Sequence, residues 1–259
     1  MRAAYIAMAS AMTVRELARK RLVLGLALCV PVVFFAVAFA TESNQLARVV
    51  LAAAAESARS VEELDLSLLF VSIASSGLVS AFFASSLIQR QRDANRRLVL
   101  CGFRASELIA ARLVVLLGII VGTTLHTGLG LELLRRLGLF SDPRFPAGVL
   151  LGIAASAFVY GCYGLLVGTL FRQELESIFA ILVLINIDAG WLQNPIYYKN
   201  AGSKWLIEVL PAHSPSQIAY LSAFTSERIG PLVAWALAYG TALLLAALAL
   251  YAKHMRVAR

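Results

Sequence analysis

The sequence predicts an all-α fold: a polytopic membrane helical bundle with six transmembrane spans behind an N-terminal interfacial helix. Two observations carry that expectation. Of 259 residues, 60% are hydrophobic and 15% charged, with a mean hydropathy of +0.79, whereas a globular chain is about 45–50% apolar and about 25% charged. The apolar residues also fall in unbroken blocks, several of which reach the ~20 residues a helix needs to cross a hydrocarbon core about 30 Å thick. A soluble core built from those blocks would lack the polar sequence to cover it.

Taken in order, Met1–Arg21 carries Tyr5, Met8 and Met12 near helical spacing ahead of Arg15, Arg19, Lys20 and Arg21. That pattern suits an elbow helix lying in the membrane interface. The first span is 22–40, with Pro31 near its middle as a kink. Ala38-Phe39-Ala40 has the small-x-small form of a signal-peptidase site. The leader before it is long and the apolar run membrane-length, so an uncleaved span is the expectation. Residues 41–65 read as a polar, acidic loop with Glu42, Glu56, Glu62, Glu63 and Asp65. The second span is 66–88, and 89–107 is a basic connection. The third and fourth spans, 108–134 and 147–171, are joined by a segment holding Pro143 and Pro146. A short polar turn, 172–176, precedes a fifth apolar stretch, 177–191, which is short for a crossing at about 1.5 Å per residue. Residues 192–230 mix aromatics, prolines and polar groups. The last span is 231–252, followed by the basic segment 253–259.

Basic residues in the loops set the orientation. With the N-terminus inside, the cytoplasmic segments hold 14 Lys and Arg and the outer ones 8, while Arg112 lies in a span. Arg135, Arg136 and Arg144 run against that bias. Six spans return the C-terminus to the cytoplasm, so an integral plasma-membrane protein with both termini cytoplasmic is expected. The net charge of +8, carried by 19 Arg and 4 Lys, is therefore read as topology, and no nucleic-acid partner is expected. Arginine over lysine and abundant alanine point to a GC-rich bacterial genome. Cys29, Cys101 and Cys162 show no CxxC spacing and are expected to be unpaired.

Helices in lipid associate through small residues that let backbones approach. The second span offers Ser72, Ser76 and Ser80 with Gly77 and Ala84; the third offers Gly118, Gly122, His126 and Gly130; the fourth offers Gly152, Ser156, Tyr160, Gly164 and Gly168. Three such faces predict close packing and a subunit interface. Intramembrane ionisable groups are functional candidates because burying them is costly. Arg112 is read as snorkelling to the cytoplasmic surface, Glu132 as pairing with Arg135 or Arg136, and Asp188 as lying at the outer rim beside Trp191. His126 is read as a neutral packing histidine, with a proton relay as the alternative. No HExxH, GxSxG or GxxxxGK[ST] motif occurs, so any ATPase must be another chain.

From these elements the chain resembles the permease subunit of an ABC-2 type (type V exporter fold) ABC transporter along nearly its whole length. The likeness rests on the basic interfacial helix, the six spans, the basic loop between spans two and three and the short fifth span. It also rests on the outer segment with Gly190-Trp191-Leu192-Gln193-Asn194-Pro195 and Leu210-Pro211. The resemblance implies that this loop forms a coupling helix docking on an ABC ATPase (nucleotide-binding) subunit. The coupling residues would be Arg92, Asp93, Arg96, Arg97, Leu98, Leu100, Phe103 and Arg104. Here Gln91-Arg92 or Asp93 stands where the family has Glu-Arg, and Gly102-Phe103 where it has a proline corner. The charges beside Leu98-Val99-Leu100 give such a helix both an electrostatic contact and an apolar anchor. The resemblance further implies a re-entrant outer segment over 192–230, which includes Tyr197, Tyr198 and Trp205. It implies no catalytic residue, metal or cofactor on this chain, with ATP and Mg held by the partner ATPase. A second permease copy or a homologous permease chain, membrane lipids, and export of a lipid, glycan, peptide or hydrophobic drug complete the expectation. Two alternatives are a haem-exporter-like permease, and an intramembrane enzyme or sensor using His126 and Asp188.

Overall fold

The computed structural model describes residues 2–19, 21–42, 45–49, 59–89, 105–171, 173–193 and 204–257. Helices α1 (Arg2–Arg19) and α2 (Arg21–Thr41) lead into strands β1 (Leu46–Val49) and β2 (Arg59–Glu62). Then come α3 (Glu63–Gln89), α4 (Ala105–Arg136), α5 (Pro146–Leu170) and α6 (Glu174–Ile187), the last continued by a π-helical turn, Asp188–Leu192. Two short helices, α7 (Lys204–Val209) and α8 (His213–Phe224), precede α9 (Gly230–Val257). Five segments are long and apolar enough to cross a membrane: Glu63–Gln89, Glu107–Arg136, Pro146–Leu170, Glu174–Leu192 and Gly230–Lys253. Among the described residues α2 contributes a shorter apolar stretch, Ala27–Thr41. The protein is a membrane-embedded helical bundle.

Local chemistry sets the helix ends. Glu63 and Asp65 occupy the first turn of α3, where the helix dipole favours anions. At the end of α4, Gly138 takes φ +71. There Gly138 N–H donates to Arg135 O at 3.0 Å and Leu139 N–H to Leu134 O at 2.9 Å, a Schellman turn that needs the left-handed residue. Pro146 opens α5, where its missing N–H costs nothing.

The structure departs from the sequence reading in two elements. Residues 41–65 are not only a polar loop: β1 and β2 pair antiparallel, Leu46 opposite Glu62 and Val49 opposite Arg59, so the all-α expectation gains a small ribbon. The acids obscured a short pattern in which Val49 and Val61 favour extended backbone. The fifth span is also longer than 177–191. A capping box between Gln173 and Glu176 starts the helix at Glu174, and with the π turn the segment reaches 19 residues.

The bundle is organised around α3 and α5, its most extensive pair, with α8 and α9 on further faces of α5. Glycine and serine make the α3–α5 approach possible. A Cβ on Gly164 would stand 2.7 Å from Ala81 Cα, and one on Gly168 2.9 Å from Ser85 O. Every residue of α8 from His213 to Ala223 is buried, and Gly152 of α5 lies against the backbone of Ala219. On α4, Val114, Leu117, Val121, Leu125 and Leu129 are exposed at helical spacing, an apolar face of the kind that lipid covers. Helix α1 lies on α4, with Ile6 and Ala9 against Leu108 and Ala111, and leaves Tyr5, Met8 and Met12 exposed.

Candidate functional site

Helix α5 places Tyr160 fourteen residues beyond Pro146, about 21 Å along its axis at about 1.5 Å per residue. Tyr160 is fully buried, and its ring lies over Gly77 of α3, where a Cβ would come within 2.6 Å of Tyr160 Cδ2. The π turn that ends α6 turns the Asp188 side chain into the bundle while Trp191 stays 59% exposed; such turns re-aim side chains by adding a residue to the helical repeat. The two residues meet there. Tyr160 Oη donates to Asp188 Oδ2 at 2.5 Å, and the backbone N–H of Ala212 donates to the same oxygen at 2.9 Å. Gln193 Nε2 donates to Asp188 Oδ1 at 3.1 Å and to Ile207 O at 3.1 Å. Gln193 Oε1 in turn lies 3.3 Å from His213 Nδ1.

Asp188 has 0% exposure, so it exchanges its hydration for three protein donors rather than for a cation. Ala212 immediately precedes α8, so the positive end of that helix dipole also faces the carboxylate. One buried carboxyl group thus ties α5, the end of α6 and the start of α8 together. The Tyr160–Asp188 hydrogen bond can hold or pass a proton, within an apolar cluster of Ile181, Ile185, Ala189 and Ala212 that packs the same elements together. Among the described residues no three His, Cys, Asp or Glu side chains converge to hold a metal.

The other sequence candidates fall elsewhere. Ser72 Oγ donates to Leu68 O at 2.6 Å and Ser76 Oγ to Ile73 O at 3.0 Å. Ser156 of α5 also donates to Ile73 O, at 2.9 Å, so these hydroxyls are satisfied by backbone within and between α3 and α5. Gly118 and Gly122 are exposed, and among the described residues nothing lies within 4 Å of where their Cβ would stand, so neither packs against another described helix. They line an apolar cleft of about 570 Å³ between α1, α2, α3 and α4, together with Leu28, Phe83 and His126. His126 Nε2 lies 3.0 Å from Leu28 O of α2. His126 and Asp188 have no hydrogen-bond partner in common.

Two ionisable residues depart from their expected places. Asp188 is not at the rim, because the π turn rotates it away from the exposed Trp191. Arg112 does not snorkel: it is 3% exposed, with its guanidinium 5.0 Å from the centroid of the Tyr251 ring on α9 and no hydrogen-bond partner for either Nη. Glu132 accepts from Arg135 Nε at 2.7 Å and from Arg136 Nε at 2.8 Å. The coupling candidates Arg92, Asp93, Arg96, Arg97, Leu98, Leu100, Phe103 and Arg104 lie outside the described residues.

Gln193 and His213 escaped the sequence reading as site residues. The polar run His213, Ser214, Ser216 and Gln217 beside Pro215 was the available signal. Proline in a first turn marks a helix start, and polar groups in a membrane chain face protein or water rather than lipid. Comparison with protein-family models and with curated protein sequences gives no match to this chain.

Proposed function

We propose that the chain is the permease subunit of an ATP-driven ABC exporter of the ABC-2 type, one of a pair of membrane subunits that engage two ATPase chains. In this reading α2, α3, α4, α5, the α6 segment and α9 are the six spans, and both termini lie in the cytoplasm. α7 and α8 form the re-entrant segment between the last two spans.

The observation that carries the reading is the position of α8. Its N-terminus abuts Asp188 and Tyr160 well inside the bundle, and its far end meets the start of α5, where Arg144 N–H donates to Ala223 O at 3.0 Å. A helix of 12 residues covers about 18 Å at about 1.5 Å per residue, too little to cross a bilayer. Broken backbone at membrane depth is tolerated where protein buries it, and transporters use half-helix ends in this way. A buried polar node set within the apolar packing of these helices suits a bundle that alternates between two arrangements.

ATP-driven closure of the ATPases would act through residues 90–107, moving α3 and α4, whose partner helix α5 carries Tyr160. The cargo class is a lipid, glycan, peptide or hydrophobic drug. Affinity purification of the full chain from its native cells tests the assignment: an ATP-hydrolysing subunit should copurify and be lost when Arg96, Arg97 and Leu98 are together changed to Ala. Transport by the isolated chain, without any ATPase, overturns it.

A further inference from the structure

The end of the bundle where the α4–α5 and α8–α9 connections meet holds a cavity apart from the Asp188 node. Its volume is about 560 Å³, and Arg144, Phe145, Ser222, Ser226, Glu227 and Arg228 are among the residues lining it. Backbone hydrogen bonds build its walls. Arg144 N–H and Phe145 N–H donate to Ala223 O and Ser222 O at 3.0 and 2.9 Å, strapping the start of α5 across the end of α8. Thr225 Oγ1 donates to Leu221 O at 2.8 Å and accepts from Glu227 N–H at 3.3 Å, which fixes the turn that leaves α8.

Three features of the lining point to a ligand. Ser222 is 3% exposed and its Oγ has no hydrogen-bond partner, although buried hydroxyls are ordinarily satisfied. Arg144 and Arg228, both exposed at the mouth of the bundle, line the cavity, and neither guanidinium has an ion pair among the described residues. Arg135 and Arg136, close by in sequence, are by contrast held by Glu132 and Asp142 at 2.7–2.8 Å. With Glu227 the lining carries two positive formal charges against one negative. The carbonyl end of α8 attracts cations and accounts for one arginine near it, but not for two flanking a cavity with an unsatisfied hydroxyl. Apolar surface adjoins the charge. Phe145 lines the cavity, and Pro146, next in sequence, lines a largely apolar groove of about 240 Å³ between α4 and α5 with Leu125, Leu129, Val149 and Leu150, whose lining also includes the paired Glu132 and Arg135.

We propose that this cavity binds a phosphate group, held between Arg144 and Arg228 with the Ser222 hydroxyl donating to it. A phospholipid headgroup, whose acyl chain lies in the α4–α5 groove, and free phosphate are its two sources. Arginine forks match phosphate oxygens, and the adjoining groove favours the lipid. The assignment is independent of which way the chain is oriented in the membrane.

The test uses the full chain in nanodiscs containing equal phosphatidylglycerol and phosphatidylcholine, extracted into mild detergent, with retained lipid counted by native mass spectrometry. The wild type should retain phosphatidylglycerol, and a variant combining Arg144→Gln with Arg228→Gln should retain at least about tenfold less, the loss expected when charged phosphate contacts go. Ser222→Ala should weaken retention by a few-fold while leaving the fold intact. A parallel arm titrates inorganic phosphate and follows its ³¹P linewidth. Broadening that the double variant abolishes, without lipid retention, keeps the phosphate site and assigns it to the free anion. Equal retention of both lipids by both proteins, together with no phosphate broadening, overturns the proposal. Unchanged melting temperatures of the variants exclude misfolding as the cause of a loss.

Discussion

Replacing Gly164 with alanine tests whether the α3–α5 contact is backbone against backbone. The added Cβ would stand 2.7 Å from Ala81 Cα and 2.8 Å from Ala81 C, whereas carbon atoms rest at about 3.5–4.0 Å. The obstruction is main chain on a buried helix, so no side-chain rotation relieves it and the helices must part. Overpacking of a tight interior costs about 1–3 kcal/mol, and this site belongs at the upper end, about 3 kcal/mol. For a chain of this size that is a fall of about 6–12 °C in melting temperature. Gly118→Ala is the matched control, because nothing lies within 4 Å of its built Cβ. There alanine should be neutral or gain about 0.5–1 kcal/mol from the smaller loss of backbone freedom in a helix. The assay is a thermal melt in detergent of a fluorescent-protein fusion, followed by size-exclusion chromatography. The reasoning fails if Gly164→Ala melts with the wild type, or if Gly118→Ala falls as far as Gly164→Ala.

Other expectations rest on the buried polar groups. Tyr160→Phe removes the 2.5 Å donor to Asp188 and should cost about 1–3 kcal/mol, the usual penalty for a buried acceptor that loses its donor. Asp188→Ala should cost more, and the double variant should show about 0.5–3 kcal/mol of coupling in denaturation; strict additivity would refute the node. Arg112 is buried without a hydrogen bond to either Nη, so Arg112→Met should be neutral or stabilising by about 1–4 kcal/mol, as when an unfavourable buried charge is replaced by apolar volume. A marked loss of stability would mean that its stacking on Tyr251 outweighs the desolvation.

The apolar blocks were legible because membrane length is a property of the chain alone. The boundaries of α3, α4, α5 and α9 follow the blocks to within a few residues. The start of α6 was harder to place, since Glu174 and Glu176 look like a polar turn until Gln173 and Glu176 close a capping box. Tyr160 was legible only as a member of the small-residue face of the fourth span, and Asp188 as an ionisable group at the outer rim. Their meeting was not legible: they are 28 residues apart in sequence, and a π turn whose extra residue leaves no mark in composition decides which way Asp188 faces.

Glycine faces make the division plainest. Gly118 and Gly164 belong to the same kind of small-residue pattern, yet one opens on a cleft and the other carries the closest helix contact. Hydrophobic length and charge placement, which need no partner, determined that this chain inserts helices into a membrane and roughly where each begins and ends. Which faces touch, which polar groups meet and which cavities stay open were decided only in the tertiary structure. Lipid is as apolar as leucine, so hydrophobicity does not rank one face of a membrane helix above another, and the choice falls to steric fit and to pairing of buried polar atoms across distant parts of the sequence.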